Sequence, residues 1–143
     1  MKDNKNILVL CTGNSCRSQL AEGFLRHYCK NGNIYSAGIE THGVNPLAIE
    51  VMKEKSIDIS SHTSNHIDEY QHIAFDFVIT VCDHAKERCP YFPTTALTLH
   101  HNFPDPAKAI GTQQEIMNEF RAVRDMIDDY CKQFIEKHLS SSL

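Results

Sequence analysis

Short apolar runs alternate along the chain with segments in which apolar residues recur every three or four positions. Four runs, at residues 6–11, 33–39, 75–82 and 95–100, have the length and the aliphatic or β-branched content of strands buried in a sheet. The segments between and after them have the apolar spacing of helices. Because parallel strands need crossover connections, this order predicts an α/β fold: a four-stranded parallel sheet flanked by helices.

Three amphipathic helices and one shorter helix are expected. The first covers 18–30, and the second follows the N-cap residue Asn45 with a proline, Pro46, at its first position. A long helix carries apolar residues at steps of three and four through 116–134, and a short helix is expected over 83–89. In folds of this class ligands bind beyond the carboxyl ends of the strands, so the residues that follow each strand are the first candidates for a site.

Length and charge limit what the protein can do. The chain has 143 residues, which suits a single domain over 1–143. Its formal net charge is −4 and it has no block of basic residues, so no nucleic-acid partner is expected. The aliphatic run at 7–10 is too short for a signal peptide or a membrane span, which predicts a cytoplasmic protein without a membrane partner. The six cysteines are then expected to be reduced at rest.

The loop between the first strand and the first helix has the composition of an oxyanion site. Its backbone N–H groups and the helix dipole favour a bound anion, and the guanidinium of Arg17 can bind two oxygens of that anion. Gly13 and Asn14 tolerate backbone conformations that other residues resist. The same field favours the thiolate of Cys11, which predicts an acidic nucleophile beside a tetrahedral anion. The residues expected to contact the anion are Thr12, Gly13, Asn14, Ser15, Cys16, Arg17 and Ser18.

A structural role for Cys11 is the main alternative. A cysteine that ends a buried strand is most often a small core residue, and for Cys11 alone that interpretation would be preferred. The presence of Gly13, Asn14, Arg17 and Ser18 directly after it favours the oxyanion site. The loop does not match the lysine-bearing nucleotide loop.

Three stretches of the sequence resemble a known family. CTGNSCRSQLAEG at 11–23 is similar to the Cys-x5-Arg-Ser loop of the low-molecular-weight protein tyrosine phosphatase superfamily. YSAGIETHGVNPLAIEVMKE at 35–54 and VITVCDHAKERCP at 78–90 resemble its thioredoxin-coupled arsenate reductase branch. The likeness covers nearly the whole chain and implies the fold of that superfamily.

The resemblance implies roles for residues of the loop and for one aspartate beyond it. It makes Cys11 the nucleophile, Arg17 the anion clamp and Ser18 a hydroxyl that stabilises the thiolate. It also makes Asp105, in the stretch FPDPA, the general acid. An aspartate between two prolines is, without the resemblance, more often a turn residue.

The resemblance also makes Cys82 and Cys89 a redox pair. Arsenate would be reduced to arsenite, in a role of arsenic resistance, with a Cys11–Cys82 disulfide followed by a Cys82–Cys89 disulfide that thioredoxin reduces. Phosphate and sulfate would compete with arsenate, no cofactor is required, and a monomer is expected. Seven residues of helix rise about 10.5 Å, whereas disulfide-bonded Cα atoms lie within about 4.4–6.8 Å, so the second disulfide requires 83–89 to unwind.

Two departures from the family pattern stand out. Members that bind potassium carry an aspartate where this chain has Asn65, with Asn14, Glu22 and Ser36 as companions. A weaker response to potassium is therefore expected. The stretch before Asp105 is HNFPDP, where many relatives have a tryptophan and a second aspartate.

A zinc site is a less favoured interpretation of the later cysteines and histidines. The candidates are Cys82, His84, Cys89, His100 and His101. Cysteines of zinc sites usually pair across two to four residues, whereas six separate these two and no second tight pair exists. The sequence therefore predicts no metal.

The other three cysteines are not expected to react. Cys16 lies in the loop, where its backbone N–H matters more than its thiol. Cys29 and Cys131 fall on the apolar faces of predicted helices, which favours the core.

Three functions stay open from the residues alone. Arsenate reduction needs thiols to supply two electrons and so requires Cys82 and Cys89. A phosphatase acting on phosphotyrosine or small phosphomonoesters would use the same loop and Asp105 without those two cysteines. An oxyanion-binding or arsenite-binding module would bind without turnover.

Overall fold

The sheet has the predicted number and direction of strands. The computed structural model describes residues 5–83 and 96–139. Its strands are β1 (Asn6–Cys11), β2 (Asn33–Gly38), β3 (Phe77–Thr80) and β4 (Leu97–His100). They form one four-stranded parallel sheet in the order β2-β1-β3-β4, so the prediction is confirmed.

The register places the ends of β1 and β3 side by side. Leu10 lies opposite Thr80, and the N–H of Val81 donates to the carbonyl of Leu10 at 2.9 Å. Since β2 and β3 lie on opposite sides of β1, the order of strands reverses at β1. The carboxyl end of β1, at Cys11, therefore lies where ligands bind in such folds.

Three helices are described, and their starts follow the sequence signals. They are α1 (Arg17–Tyr28), α2 (Pro46–Lys53) and α3 (Gln113–His138). The side chain of Asn45 accepts from the N–H of Leu47 at 2.8 Å, as expected of an N-cap before Pro46. Helix α1 packs against both α2 and α3.

The core lies between the sheet and these helices. Ile7, Leu8 and Leu10 of β1 are at most 1% exposed, and Leu20 and Phe24 of α1 are equally buried. Full burial of a side chain of this size contributes about 1.5–3 kcal/mol each. Within the described part of the chain, no helix combines the length and the apolar character that a membrane crossing requires.

Element boundaries differ from the prediction in several places. The strand expected over 75–82 is β3, which is shorter, and the helix expected over 18–30 is α1, which starts one residue earlier. Two short 3-10 helices, Ile67–Tyr70 and Pro106–Lys108, were not predicted, because three or four residues carry no periodicity. Apart from Asp83, the helix expected over 83–89 lies outside the described residues.

Candidate active site

Cys11 ends β1 beside the start of α1. Its side chain is buried, and the backbone N–H of Ser18 and the thiol of Cys82 are among the groups that shift its pKa. Cys82 lies near Cys11 because β1 and β3 are neighbours in register. The structure thus brings together two of the three cysteines assigned to the reaction, and the third, Cys89, lies outside the described residues.

The carbonyl groups of the loop point away from its centre. The carbonyls of Thr12, Gly13 and Ser15 accept hydrogen bonds from the backbone N–H groups of Glu40, His42 and Asn45 at 2.9, 3.1 and 2.9 Å. In a trans peptide the C=O and N–H point in opposite directions. The N–H groups of the same peptide units therefore face away from these partners, as a bound anion requires.

Asn14 adopts the backbone conformation expected of it, and Gly13 lies against the ring of His42. Asn14 has a φ of 49°, in the left-handed region that asparagine tolerates. Gly13 is not among the residues of positive φ. A Cβ on Gly13 would instead meet the ring of His42, so a larger residue there would require the exposed His42 side chain to move.

The guanidinium of Arg17 has a buried N–H donor, at Nε, that lacks a hydrogen-bond partner in the described part of the structure. Nη1 donates to the carbonyl of Phe103 at 2.9 Å, and Nη2 lies 3.6 Å from Oδ2 of Asp105. Among the described residues, Nε of Arg17 is the buried side-chain polar atom that lacks a hydrogen-bond partner. Burying a charged donor without a partner is costly, and an oxyanion beside Arg17 would satisfy it.

A cavity of about 330 Å³ opens in front of the loop. Its lining includes Cys11, Gly13, Arg17, His42 and Asp105. A second cavity of about 540 Å³ adjoins it and shares its Arg17 and Asp105 walls, with Cys82 on its own wall. A tetrahedral anion in the first space would contact the loop, while the second gives access to Cys82.

Asp105 lines the same cavity as the loop after β1. Its Oδ1 accepts from the N–H of Ala107 at 3.0 Å and so caps the 3-10 helix that begins at Pro106. This leaves Oδ2 on the side of Arg17. The carboxyl group is 24% exposed, and its backbone is restrained by prolines on both sides.

Cys82 is buried against the loop. Its sulfur lies 3.1 Å from Oγ1 of Thr12, and its side chain is 2% exposed. Thr12 was predicted as an anion contact, and the structure shows that its hydroxyl also reaches the second thiol.

Two neighbouring influences oppose ionisation of the Cys11 thiol. The Cys82 thiol and burial raise the pKa of Cys11 well above its usual value, while Arg17 and the N–H of Ser18 lower it. The direction of this shift is opposite to that of the acidic nucleophile predicted from the loop. The composition of the loop indicates the groups that favour a thiolate, but it does not show a second thiol across the sheet.

The remaining cysteines behave as unreactive residues. Burial, with the charge of Asp105 adding to it, raises the pKa of Cys16 to about 12. Cys29 and Cys131 are buried in the core, as predicted, and burial raises the pKa of Cys131. A protonated, buried thiol is a poor nucleophile.

A cluster of buried polar side chains lies behind the loop; we call it the Asn14 cluster, and it consists of Asn14, Glu22 and Ser36. Nδ2 of Asn14 donates to Oγ of Ser36 at 2.9 Å, and Ser36 donates to Oε1 of Glu22 at 2.6 Å. Oδ1 of Asn14 accepts from the N–H of Asn65 at 2.7 Å. These bonds hold Asn14 in its left-handed conformation.

The oxygens that the resemblance associates with potassium do not fit a cation as they lie here. The side chain of Asn65 accepts from Thr63 at 2.8 Å and donates to Glu69 at 3.0 Å, away from the cluster. Both oxygens of Glu22 already accept hydrogen bonds. We derive no catalytic step through potassium.

No zinc site is found in the described part of the chain, where no group of three or more His, Cys, Asp or Glu residues could hold a metal ion. Of the five residues considered for zinc, His84 and Cys89 lie outside that part. His101 instead packs its ring on Phe103 and Tyr130, with ring centroids 4.4 and 5.2 Å away.

Sequence analysis missed two contributors to the site. The carbonyl of Phe103 orients Arg17 across 86 positions of sequence, and no side-chain pattern signals a backbone acceptor. His42 lines the cavity, and its Nε2 lies 2.8 Å from Oε1 of Glu40. Glu40 and His42 lie two positions apart in the sequence, and this spacing was the only local sign that their side chains could interact.

The chain is similar to known proteins over nearly its whole length. The arsenate reductase of Halalkalibacterium halodurans is 50% identical over 135 residues, covering 94% of this chain and 97% of that protein. The arsenate reductase of Bacillus subtilis is 47% identical over 135 residues, with the same coverage of 94% and 97%. A solved arsenate reductase in the phosphate-binding state has a TM-score of 0.77 and 30% identity, covering 93% of this chain and 98% of that one.

The family match spans the sheet, the loop and α3 together. Residues 6–142 match the family described as low molecular weight phosphotyrosine protein phosphatase. The loop after β1 and the order of the strands agree with that match, and the resemblance seen in the sequence is confirmed. The chain belongs to the low molecular weight phosphotyrosine protein phosphatase family.

Proposed function

We propose that this protein reduces arsenate to arsenite through a series of thiol–disulfide steps. Relatives that are about half identical over nearly the whole chain are arsenate reductases. The observation that carries the proposal is the position of Cys82 beside Cys11, where neighbouring strands end at the edge of a cavity that Arg17 lines. Hydrolysis needs one thiol, whereas reduction needs a second one within reach of the first.

The first step joins arsenic to Cys11. The Cys11 thiolate attacks arsenic, an S–As bond forms, and one oxygen leaves as water with a proton from Asp105. Arg17 and the loop N–H groups bind the other oxygens, and the unpartnered Nε of Arg17 gains an acceptor. Attack requires Cys11 to pass its proton to the bound hydrogen arsenate dianion, and Arg17 and the N–H of Ser18 favour the thiolate that results.

The second step reduces arsenic. Cys82, as a thiolate, attacks the sulfur of Cys11, so that an S–S bond forms and the S–As bond breaks. The electron pair of the broken bond stays with arsenic, which passes from arsenic(V) to arsenic(III) and leaves as arsenite. The two cysteines together lose two electrons and form the Cys11–Cys82 disulfide.

The third step frees Cys11 for another turnover. Cys89 attacks Cys82, which gives the Cys82–Cys89 disulfide and returns Cys11 to its thiol form. A dithiol protein then reduces this disulfide, and thioredoxin, with a potential of about −270 mV, is the partner we propose. All three thiols belong to one chain, so a monomer suffices, and the cycle requires a reducing compartment such as the cytoplasm.

Phosphatase activity is the second candidate, and the family match favours it as a side activity. The same loop and Asp105 would transfer a phosphoryl group to Cys11, and water would complete the cycle. This reaction does not use Cys82 or Cys89. A module that only binds oxyanions would turn over neither substrate.

The test is a pair of assays on the same protein. Arsenite release is measured with thioredoxin, its reductase and NADPH, and hydrolysis of p-nitrophenyl phosphate is measured separately. Cys11→Ser, Cys82→Ser and Cys89→Ser should each abolish repeated arsenate reduction, while Cys11→Ser alone abolishes hydrolysis. Normal arsenate turnover in Cys82→Ser would overturn the proposed cascade.

A further inference from the structure

A chain of hydrogen bonds ends on the residue that follows Cys82. Nε2 of His100 lies 2.8 Å from Oδ1 of Asp83, and Nδ1 of His100 lies 2.7 Å from Oγ1 of Thr80. We infer that Asp83 and His100 are positioning residues that hold Cys82 for its attack on Cys11. This inference rests on the proposed arsenate reduction and adds two residues to it.

The contacts anchor Asp83 at two points. Its backbone N–H donates to Oδ1 of Asn102 at 3.1 Å, and its carboxylate accepts from Nε2–H of His100. Because a carboxylate only accepts, Nε2 must carry the proton. Nδ1 of a neutral His100 then accepts from the hydroxyl of Thr80, which is 2% exposed and cannot move away.

The residue before Cys82 is held in the same way. The N–H of Val81 donates to the carbonyl of Leu10 at 2.9 Å, and the carbonyl of Val81 accepts from the N–H of Phe103 at 3.1 Å. Cys82 therefore lies between two fixed neighbours. Its sulfur has little freedom to leave Cys11, which lowers the entropic cost of forming the bond between them.

A role in overall stability does not account for these contacts. The side chains of Asp83 and His100 are 67% and 23% exposed, and a hydrogen bond between side chains in contact with water contributes little to folding. Asp83 lies directly after Cys82 in the chain. The contact with His100 therefore acts on the backbone beside that thiol.

The inference is tested through formation of the Cys11–Cys82 disulfide in a Cys89→Ser background. In single turnover with arsenate and no reductant, arsenite release reports the attack of Cys82. Ellman's reagent gives a second measurement without arsenate. One of the two thiols attacks the reagent, forms a mixed disulfide and releases a first thionitrobenzoate. The other thiol then attacks this mixed disulfide and releases a second thionitrobenzoate. The rate of the second release therefore reports how readily the thiols of Cys11 and Cys82 meet.

The variants are Asp83→Ala, His100→Ala, the double variant and Asp83→Asn. We expect arsenite release and the second thionitrobenzoate release to slow by about fivefold to tenfold in each single variant, with little further loss in the double variant. Asp83→Asn should recover most of the rate, because its amide oxygen still accepts from His100. Phosphate affinity and p-nitrophenyl phosphate hydrolysis should stay within about twofold.

Asp76→Ala is the matched control. Asp76 lies just before β3 as Asp83 lies just after it, and its carboxylate accepts from the N–H of Asn6 at 2.8 Å. Its loss should leave both release rates unchanged.

Unchanged rates in Asp83→Ala and His100→Ala, or an equal loss of rate in Asp76→Ala, would overturn the inference. Absence of arsenite from the parent protein would overturn the proposed function instead, while the thionitrobenzoate rates would still decide the inference.

Discussion

Two groups of buried polar side chains meet at the loop after β1, and they differ in one respect. In the Asn14 cluster, the side chains of Asn14, Ser36 and Glu22 are all hydrogen-bonded within the protein. In the site around Arg17, Nη1 donates to the carbonyl of Phe103, Nη2 lies 3.6 Å from the carboxylate of Asp105, and Nε is buried without a partner among the described residues.

The difference separates a structural group from a binding group. Buried polar atoms are nearly always paired, so a cluster that pairs its own atoms stabilises the fold and has no need of a ligand. Nε of Arg17 is a buried cationic donor without a partner in the described part of the chain, and it lies beside a thiol and a cavity. An oxyanion bound in that cavity would accept its hydrogen bond. The predictions below change one group at a time, beginning with the largest expected effect.

Removing the unpaired donor should have the largest effect. Arg17→Lys keeps the charge but loses the planar guanidinium and its Nε, so arsenate turnover should fall by about a hundredfold to a thousandfold. Arg26→Lys is the matched control, because Arg26 donates through Nε to Glu22 of the Asn14 cluster at 2.8 Å. Steady-state arsenite release measures both, and equal losses would remove the distinction between the two groups.

Breaking the paired group should reduce stability rather than binding. Ser36→Ala leaves a donor on Asn14 and an acceptor on Glu22 without their partner, so the free energy of unfolding in urea should fall by about 1–3 kcal/mol. Ser60→Ala, at an exposed position, should change it by less than about 0.5 kcal/mol. Loss of phosphate binding in Ser36→Ala that remains folded would show that the cluster belongs to the binding site.

Removing the second thiol should make Cys11 more acidic. Cys82 and burial raise the pKa of Cys11, so Cys82→Ala removes the first cause and leaves Arg17 and the N–H of Ser18 to favour the thiolate. A lower pKa means that alkylation of Cys11 by iodoacetamide reaches half its limiting rate at lower pH. Cys131→Ala, which deletes a buried core thiol, should not move this midpoint, and an unchanged midpoint in Cys82→Ala would contradict the assignment.

The smallest effect is expected from potassium. The side chain of Asn65 is turned towards Thr63 and Glu69, so potassium should change the melting temperature little. Asn65→Asp should increase that response, since a carboxylate attracts the cation. A large potassium-dependent rise in melting temperature of the unmodified protein would show that the Asn14 cluster opens to bind the ion.

Features confined to one stretch of sequence were predictable. The strand ending at Cys11, the loop and the helix after it are contiguous, and their composition indicated where the strand ends and the helix begins. The cap at Asn45 followed from its own side chain and Pro46. In each case the interacting groups lie within a few positions, so the pattern of residues contains the contact.

Features made across the sheet were harder to predict. Parallel pairing of β1 and β3 brought Cys82 to Cys11, and the alternation of elements was enough to anticipate that neighbourhood. It did not show that burial and a second thiol would oppose ionisation of Cys11, so the direction of its pKa shift was not predicted. Nor did it show that the ring of His42 lies against Gly13, which depends on where the chain returns after β2.

The most direct test of the account is a single turnover. Reduced protein is mixed with arsenate without any reductant, and arsenite and remaining thiols are counted. The account predicts one arsenite and the loss of two thiols per chain, with a disulfide at Cys82 identified by mass spectrometry. Intact thiols and no arsenite, from protein that still hydrolyses p-nitrophenyl phosphate, would contradict it.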